Sequence, residues 1–300
     1  MPEYLENTHN FSSRWKTVER NMVYHSAADA LLWRLPKRSV DVFWFSPPYN
    51  LDDKFRGGNH NKTGVKIQYG IRLTSKGDGT SIPESVYQAQ QQMVLGLCYE
   101  ALKPNGVIFY SHKIRLKNGI AINPGEWIRR SGLHVIQEVI WDRSSTAQGD
   151  PRRLHPVYET IFILAKRPAA KSHLGEPFKL HNAGKRVGGP GYSDVWHVHS
   201  GNNRSVTGHP CATPTEIVER CFNVVPLTKG MLVCDPYCGT GTTGRVAQAY
   251  GADYLLCDVD AHWATHAEKS VNGESNDRQQ AFVQQLREGS SEETSSIPSG

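Results

Sequence analysis

What the sequence lacks removes several classes of function. None of its 300 residues fall in a run approaching the ~20 apolar positions of a membrane-spanning helix. The polar opening at residues 1–10 also lacks the charged-then-apolar layout of a secretory leader. A soluble, cytoplasmic protein without a membrane partner is expected. The six cysteines, Cys98, Cys211, Cys221, Cys234, Cys238 and Cys257, include no C-x-x-C pair, which argues against a zinc ribbon and for free thiols in a reducing compartment. One other constellation, His197-x-His199 with His209-x-Cys211, has metal-ligand chemistry but falls in an irregular segment with no acid evident behind it, so no metal is expected.

What remains is enough for a core and an uneven charge. A 38% hydrophobic content over this length suits one large α/β domain or two small ones. Net charge is only +5, yet residues 103–190 carry 15 Lys or Arg against 6 Asp or Glu, whereas residues 191–300 carry 7 against 13. A basic middle of this kind suits a polyanion, since neutralising phosphates releases counterions; a solvated basic surface is the plainer alternative.

The most informative stretch is the apolar run at residues 40–45, V-D-V-F-W-F, followed by Ser46, Pro47, Pro48, Tyr49, Asn50 and Leu51. Such a run reads as a buried central strand of a parallel sheet. Two successive prolines supply no N–H to a ladder, so the chain must leave the sheet at Ser46. In open α/β sheets ligands bind beyond the carboxyl ends of the strands, where the Ser46 hydroxyl, the Pro47 carbonyl and the Tyr49 ring would converge.

Along the chain, residues 22–25 and a helix over 27–35 precede this strand in a β-α-β pattern. Residues 52–82 form a long Gly/Asn-rich loop with six basic residues, among them Lys54, Arg56 and Lys62, and read as a lid that contacts nucleic acid. A helix over 84–102 ends in a turn at 103–106, and strands follow at 107–111, 134–141 and 158–165, with a helix around 126–131. Between the last two strands lie Arg143, Arg152 and Arg153, and further basic residues, Lys185 and Arg186, fall in the aperiodic segment 168–208, the candidate for target recognition. Thr213 reads as a helix cap with Pro214 at the first helical position, and strands follow at 231–234 and 254–257. The expected layout is a lead-in at 1–21, a catalytic half at 22–167, the target segment, a cofactor half at 209–272 and a disordered tail at 273–300.

The stretch from Asp235 through Pro236, Tyr237, Cys238, Gly239, Thr240, Gly241, Thr242 and Thr243 is a glycine loop between a strand and a helix placed at 245–250. It lacks both the dehydrogenase G-x-G-x-x-G spacing and the Gly-Lys-Ser/Thr of a phosphate loop. Asp258 ends the next strand, where ribose hydroxyls bind in such folds. A cofactor with a ribose and no polyphosphate fits best.

The S-P-P-Y turn and the D-P-Y-C-G-T-G-T-T loop occurring together resemble the S-adenosylmethionine-dependent DNA amino-methyltransferases of permuted class β, over about residues 22–270. L-K-P-N-G-V at 102–107, W-D-R at 141–143, Tyr158-Glu159, His209-Pro210 and Thr213-Pro214 add to the likeness. The resemblance implies a circularly permuted, seven-stranded, doubly wound, mostly parallel Rossmann-like α/β sheet. It also implies S-adenosyl-L-methionine held by the glycine loop, Asp258, His209 and Thr213, and double-stranded DNA as partner, with a homodimer left open. Ser46, Pro47, Pro48 and Tyr49 would be catalytic, acting on a base flipped from the duplex. Serine at the head of the motif resembles cytosine-N4 enzymes, and aspartate there adenine-N6 enzymes. Thr213 stands where many relatives carry lysine, and Asp29 is displaced from the acid expected after the first strand. Other readings are an adenine-N6 enzyme, a non-catalytic nucleic-acid-binding protein and a small-molecule enzyme on the same scaffold.

Overall fold

A computed structural model describes residues 18–50, 82–117, 119–144, 154–168, 193–199, 209, 211–225 and 227–273. The loop at 52–81, Lys54, Arg56, Lys62, Arg152, Arg153, Lys185, Arg186, most of the 168–208 segment and the tail from 274 lie outside them. In chain order the elements are β1 (Met22–His25), α1 (Ala28–Leu32), β2 (Val40–Phe45), α2 (Glu84–Ala101), β3 (Leu102–His112), β4 (Arg115–Lys117), β5 (Ile120–Ile122) and α3 (Gly125–Ile128). There follow β6 (His134–Asp142), β7 (Tyr158–Ala165), β8 (Val195–His197), α4 (Thr215–Asn223), β9 (Leu232–Asp235), α5 (Thr242–Ala249), β10 (Asp253–Asp258) and α6 (Ala261–Val271).

The sheet has eight strands in the order β1-β10-β9-β2-β3-β7-β6-β8, parallel except for β7, which is antiparallel to both β3 and β6. All seven expected strands are present, and β8 is one more at the edge. β2 sits in the middle because it is apolar on both sides: Val42 and Trp44 join the core cluster with α4, α5 and α6, while Phe43 and Phe45 join the cluster with α1, α2 and α3. Its single acid, Asp41, has partners: Lys103 Nζ donates to both carboxylate oxygens at 2.8 Å, and the Leu232 amide donates at 2.8 Å, tying β2 to β9.

Several local expectations change. The turn at 103–106 is an excursion within β3, where the pairing steps from Val40–Leu102 to Val42–Val107. Gly106 is needed there, since a Cβ would lie 2.8 Å from the Asp41 carbonyl oxygen. α1 and α3 are shorter than expected. α4 begins at Thr215 with Pro214, not Thr213, at the cap position and no side-chain cap bond, since the proline ring has no acceptor to offer the first turn. α5 begins at Thr242, three residues early, because Gly241 turns left-handed at φ +79° and the helix starts at once. α6 was not expected; Asp260 caps it by accepting from the His262 amide at 2.8 Å. Among the described residues no helix is long and apolar enough to cross a membrane.

Candidate active site

The carboxyl edge of the sheet gathers the chemistry. β2 and β9 are paired neighbours, with Phe43 opposite Cys234, so the Ser46 turn and the glycine loop leave the sheet side by side. The rings of Phe45 and Tyr237 lie 5.9 Å apart across that junction. β7 runs the other way, so its first residues reach the same edge, and Glu159 enters the site from a strand whose partners end there.

At the turn, the hydroxyls of Ser46 and Tyr49 lie 2.8 Å apart, and Tyr49 donates to Glu159 Oε2 at 2.8 Å. Arg143 Nη1 donates to the other carboxylate oxygen at 2.9 Å. Tyr49 has one proton, and the carboxylate takes it, so Ser46 must be the donor in the first bond. The lone pairs of Ser46 Oγ are then left to accept. Burial, with the Glu159 charge beside it, raises the Tyr49 pKa well above its ordinary value and keeps the phenol protonated. One face of the Tyr49 ring lies against His112, with centroids 4.4 Å apart. Among the described residues nothing donates to the Pro47 carbonyl.

Arg143, which the sequence offers to nucleic acid, has a side chain more than four-fifths buried and is paired with Glu159. The sequence shows Glu159 as part of its strand without a role and gives no sign of His112 at the site. Asp142 lies 2.8 Å from His197 Nδ1, an acid behind that histidine invisible in the sequence. Among the described residues no group of three or more His, Cys, Asp or Glu is placed to hold a metal.

In the glycine loop, the buried Asp235 carboxylate accepts from the Tyr237 amide at 2.9 Å and the Thr243 hydroxyl at 2.6 Å, and burial pushes its pKa up to about 7. Asp258 accepts from the amides of Gly239 at 3.1 Å and Asp260 at 2.9 Å, and burial raises its pKa as well. His209 packs edge-on to Trp263, 4.4 Å between centroids, and its Nε2 would lie 3.4 Å from a Cβ on Gly239. Burial lowers the His209 pKa to about 4, so its ring is neutral. Thr242 donates to the Thr213 carbonyl at 3.4 Å, so His209 and Thr213 both lie against the loop, at Gly239 and at Thr242. Pro236, Cys238 and Thr240 complete the turn between β9 and α5, and Thr243 lies in the first turn of α5. Asp235 within the loop and Asp258 against Gly239 are its two carboxylates, and the loop itself carries no Lys or Arg, the nearest being Arg245, which donates to Thr242 at 3.2 Å. Such a cradle fits a ribose-bearing cationic ligand without phosphates, as a sulfonium nucleoside is.

This strand order, with the loop at the central crossover, is that of a Rossmann-like methyltransferase. The family described as DNA methylase (N6_N4_Mtase) matches residues 40–269, and the chain belongs to it; it is therefore an S-adenosylmethionine-dependent DNA methyltransferase of the N6/N4 amino kind. Among curated relatives, it is 26% identical over 261 residues to the Type II methyltransferase M2.LlaDCHI of Lactococcus lactis subsp. cremoris, covering 85% of this chain and 90% of that one. Identity to the Type II methyltransferase M2.DpnII of Streptococcus pneumoniae is 25%, with the same coverage. The fold is similar to PvuII DNA methyltransferase (cytosine-N4-specific), at a TM-score of 0.61 and 15% identity over 93% of this chain and 97% of that chain. It is also similar to M1.HpyAVI in complex with SAM, at a TM-score of 0.55 and 14% identity over 84% and 98%.

Proposed function

We propose that this chain is a permuted class β enzyme that methylates the exocyclic N4 of a cytosine flipped out of double-stranded DNA. The observation that carries this reading is the one-way chain Ser46 to Tyr49 to Glu159, which leaves Ser46 Oγ as an acceptor. An exocyclic amine is a poor nucleophile because its lone pair is delocalised into the ring. If Ser46 Oγ and the Pro47 carbonyl accept its two N–H bonds, the nitrogen is drawn toward tetrahedral geometry and the lone pair is freed. S-adenosylmethionine supplies the electrophilic methyl group. Asp235, Asp258, the Gly239–Gly241 turn, His209 and Thr213 hold the donor, and Pro48 and Tyr49 place the base. Orientation of this kind is worth on the order of 7–11 kcal/mol.

A neutral serine takes no proton permanently, so the proton of the methylated amine leaves to water. Serine at the head of the turn favours cytosine over adenine. The basic residues 54, 56, 62, 152, 153, 185 and 186 serve the phosphate backbone in this reading.

The test is transfer of a labelled methyl from S-adenosylmethionine to duplex DNA, followed by nucleoside analysis. N4-methylcytosine is expected. N6-methyladenine would overturn the base assignment, and no transfer would leave a DNA-binding scaffold. Ser46→Ala should abolish transfer while cofactor affinity stays near that of the wild type; lost cofactor binding would show that Ser46 is misplaced.

A further inference from the structure

Behind the Ser46 turn lies a second hydrogen-bond chain that the transfer chemistry does not itself use. The Tyr87 hydroxyl, on the first turn of α2, is 2.8 Å from the Pro48 carbonyl oxygen and 2.7 Å from His112 Nε2 at the end of β3. Tyr87 and His112 are both fully buried. Two proton arrangements are open to this chain, and the Pro48 carbonyl, which needs a donor, selects one of them. A carbonyl only accepts, so the single Tyr87 proton points at Pro48, and the Tyr87 oxygen must then accept from His112. His112 therefore carries its hydrogen on Nε2. Its Nδ1 is then bare and accepts from the Lys113 amide 2.8 Å away. The opposite tautomer would instead donate from Nδ1 to the Lys113 carbonyl 2.9 Å away, take the Tyr87 proton on Nε2 and leave the Pro48 carbonyl without it. Burial, with Arg115 nearby, lowers the His112 pKa well below its ordinary value, so the ring stays neutral and the tautomer is not disturbed by pH.

His112 thus acts on the turn twice. It reaches the Pro48 carbonyl through Tyr87, and its ring lies 4.4 Å from that of Tyr49. Tyr87 is itself clamped: the Arg115 guanidinium lies 4.5 Å from its ring centroid and donates twice to Glu84 on the same helix, with Nη1–Oε2 at 2.8 Å. The orientation of the Pro48 carbonyl sets the plane of the Pro48–Tyr49 peptide, and with it the positions of the Tyr49 ring and the Ser46 oxygen that Tyr49 holds.

We propose that Tyr87 and His112 are positioning residues: a buried His112 Nε2–H to Tyr87 to Pro48 relay that sets the rate of methyl transfer by fixing the S-P-P-Y turn, without touching cofactor or base. The inference rests on that turn being the place of transfer. A misplacement near 1 Å costs about 100-fold in rate, so Tyr87→Phe should slow transfer by roughly 10–100-fold.

The experiment is single-turnover methyl transfer from a preformed complex of full-length protein, S-adenosylmethionine and duplex DNA, with both dissociation constants measured beside it. Tyr87→Phe and His112→Leu should be slow with nearly unchanged affinities. His112→Gln, whose amide nitrogen can replace Nε2–H, should stay within about threefold of wild type. A Tyr87→Phe protein that transfers at the wild-type rate while Ser46→Ala is dead would overturn the relay alone. If Ser46→Ala transfers normally, it is the site that is wrongly placed. Should the Tyr87→Phe and His112→Leu proteins fail to fold, long-range ¹⁵N–¹H correlation on wild-type protein decides: an Nε2–H tautomer for His112 is required, and an Nδ1–H tautomer would overturn the proposal.

Discussion

Tyr49 and Glu159 are 110 positions apart in the chain, and their hydroxyl and carboxylate meet at 2.8 Å. That bond decides which way the Ser46 proton points, and so whether Ser46 presents a lone pair or a hydrogen to an incoming amine. Removing only the phenolic oxygen tests it. In Tyr49→Phe the ring and its contact with His112 remain, while Ser46 becomes free to turn its proton outward. Methyl transfer is expected to fall by roughly 10–100-fold with little change in cofactor affinity. Glu159→Gln should give a smaller loss, since the amide oxygen can still accept. Unchanged single-turnover rates in both would refute the assigned direction of the chain.

How much of this was legible beforehand depends on the range over which each signal acts. Phe43, Trp44 and Phe45 announce a doubly buried strand within six residues, and Pro47-Pro48 announce its end, so β2 and the turn can be read locally. Asp235 to Thr243 is equally local. β8 is three residues long, too short for any period to show. α6 does leave a readable trace: Asp260 as cap, then Trp263, Ala264, Ala267 and Val271 at helical spacing. His112 left none. It ends an apolar strand like any polar terminus, and its partner Tyr87 lies 25 residues earlier on a helix. Glu159 on β7 and Arg143 just past the end of β6 are 16 apart in the chain, and the reversed course of β7 brings them together at the carboxyl edge.

Asp235 should leave a mark on the pH dependence of stability. Its carboxyl ordinarily titrates near 3.8, and burial in the native state moves it to about 7. Between those values the native protein keeps a proton that the unfolded chain has released. The associated stability is therefore full below the lower value and is lost as pH rises toward the upper one, by up to about 4 kcal/mol. Asp235→Asn removes this dependence. Compared by denaturant unfolding from about pH 4 to about pH 8, the variant should gain on wild type as pH rises. Parallel curves would mean that Asp235 is already ionised in the fold, with the Thr243 and Tyr237 donors outweighing burial.

Gly241 allows a sharper steric test. It sits at φ +79°, and a Cβ there would lie 3.0 Å from both the Cα and the carbonyl oxygen of Ala267 on α6. Gly241→Ala therefore meets backbone on one side and a left-handed conformation on the other, together roughly 1–3 kcal/mol. Thermal unfolding should show the loss, and cofactor affinity should weaken with it because the loop and α6 must part. Gly251 has a similar φ of +73° with nothing within 4 Å of its Cβ, so Gly251→Ala isolates the conformational part and should cost less.

Arg115 and Glu84 make no bond to Ser46 or Tyr49 and yet hold up the wall behind the turn, Arg115 against the Tyr87 ring and Glu84 accepting from Asn50 at 3.3 Å. The Arg115 side chain is fully buried, Glu84 is largely so, and the guanidinium also lies 5.3 Å from the Trp127 ring. Arg115→Met takes the guanidinium from Glu84, which keeps its bonds from Gln88 and Asn50 and is one-fifth exposed, so stability should fall, by less than the about 3–5 kcal/mol of a fully buried charge left alone. Its hydrogen bonds from Arg115 are what hold the Glu84 pKa down against burial, so in that variant the Glu84 pKa should rise. Adding Glu84→Gln removes the stranded charge, and the double variant should recover part of the lost stability. A double variant no more stable than the single one would show that packing of Arg115 against Tyr87 and Trp127, rather than its charge, is what the site depends on.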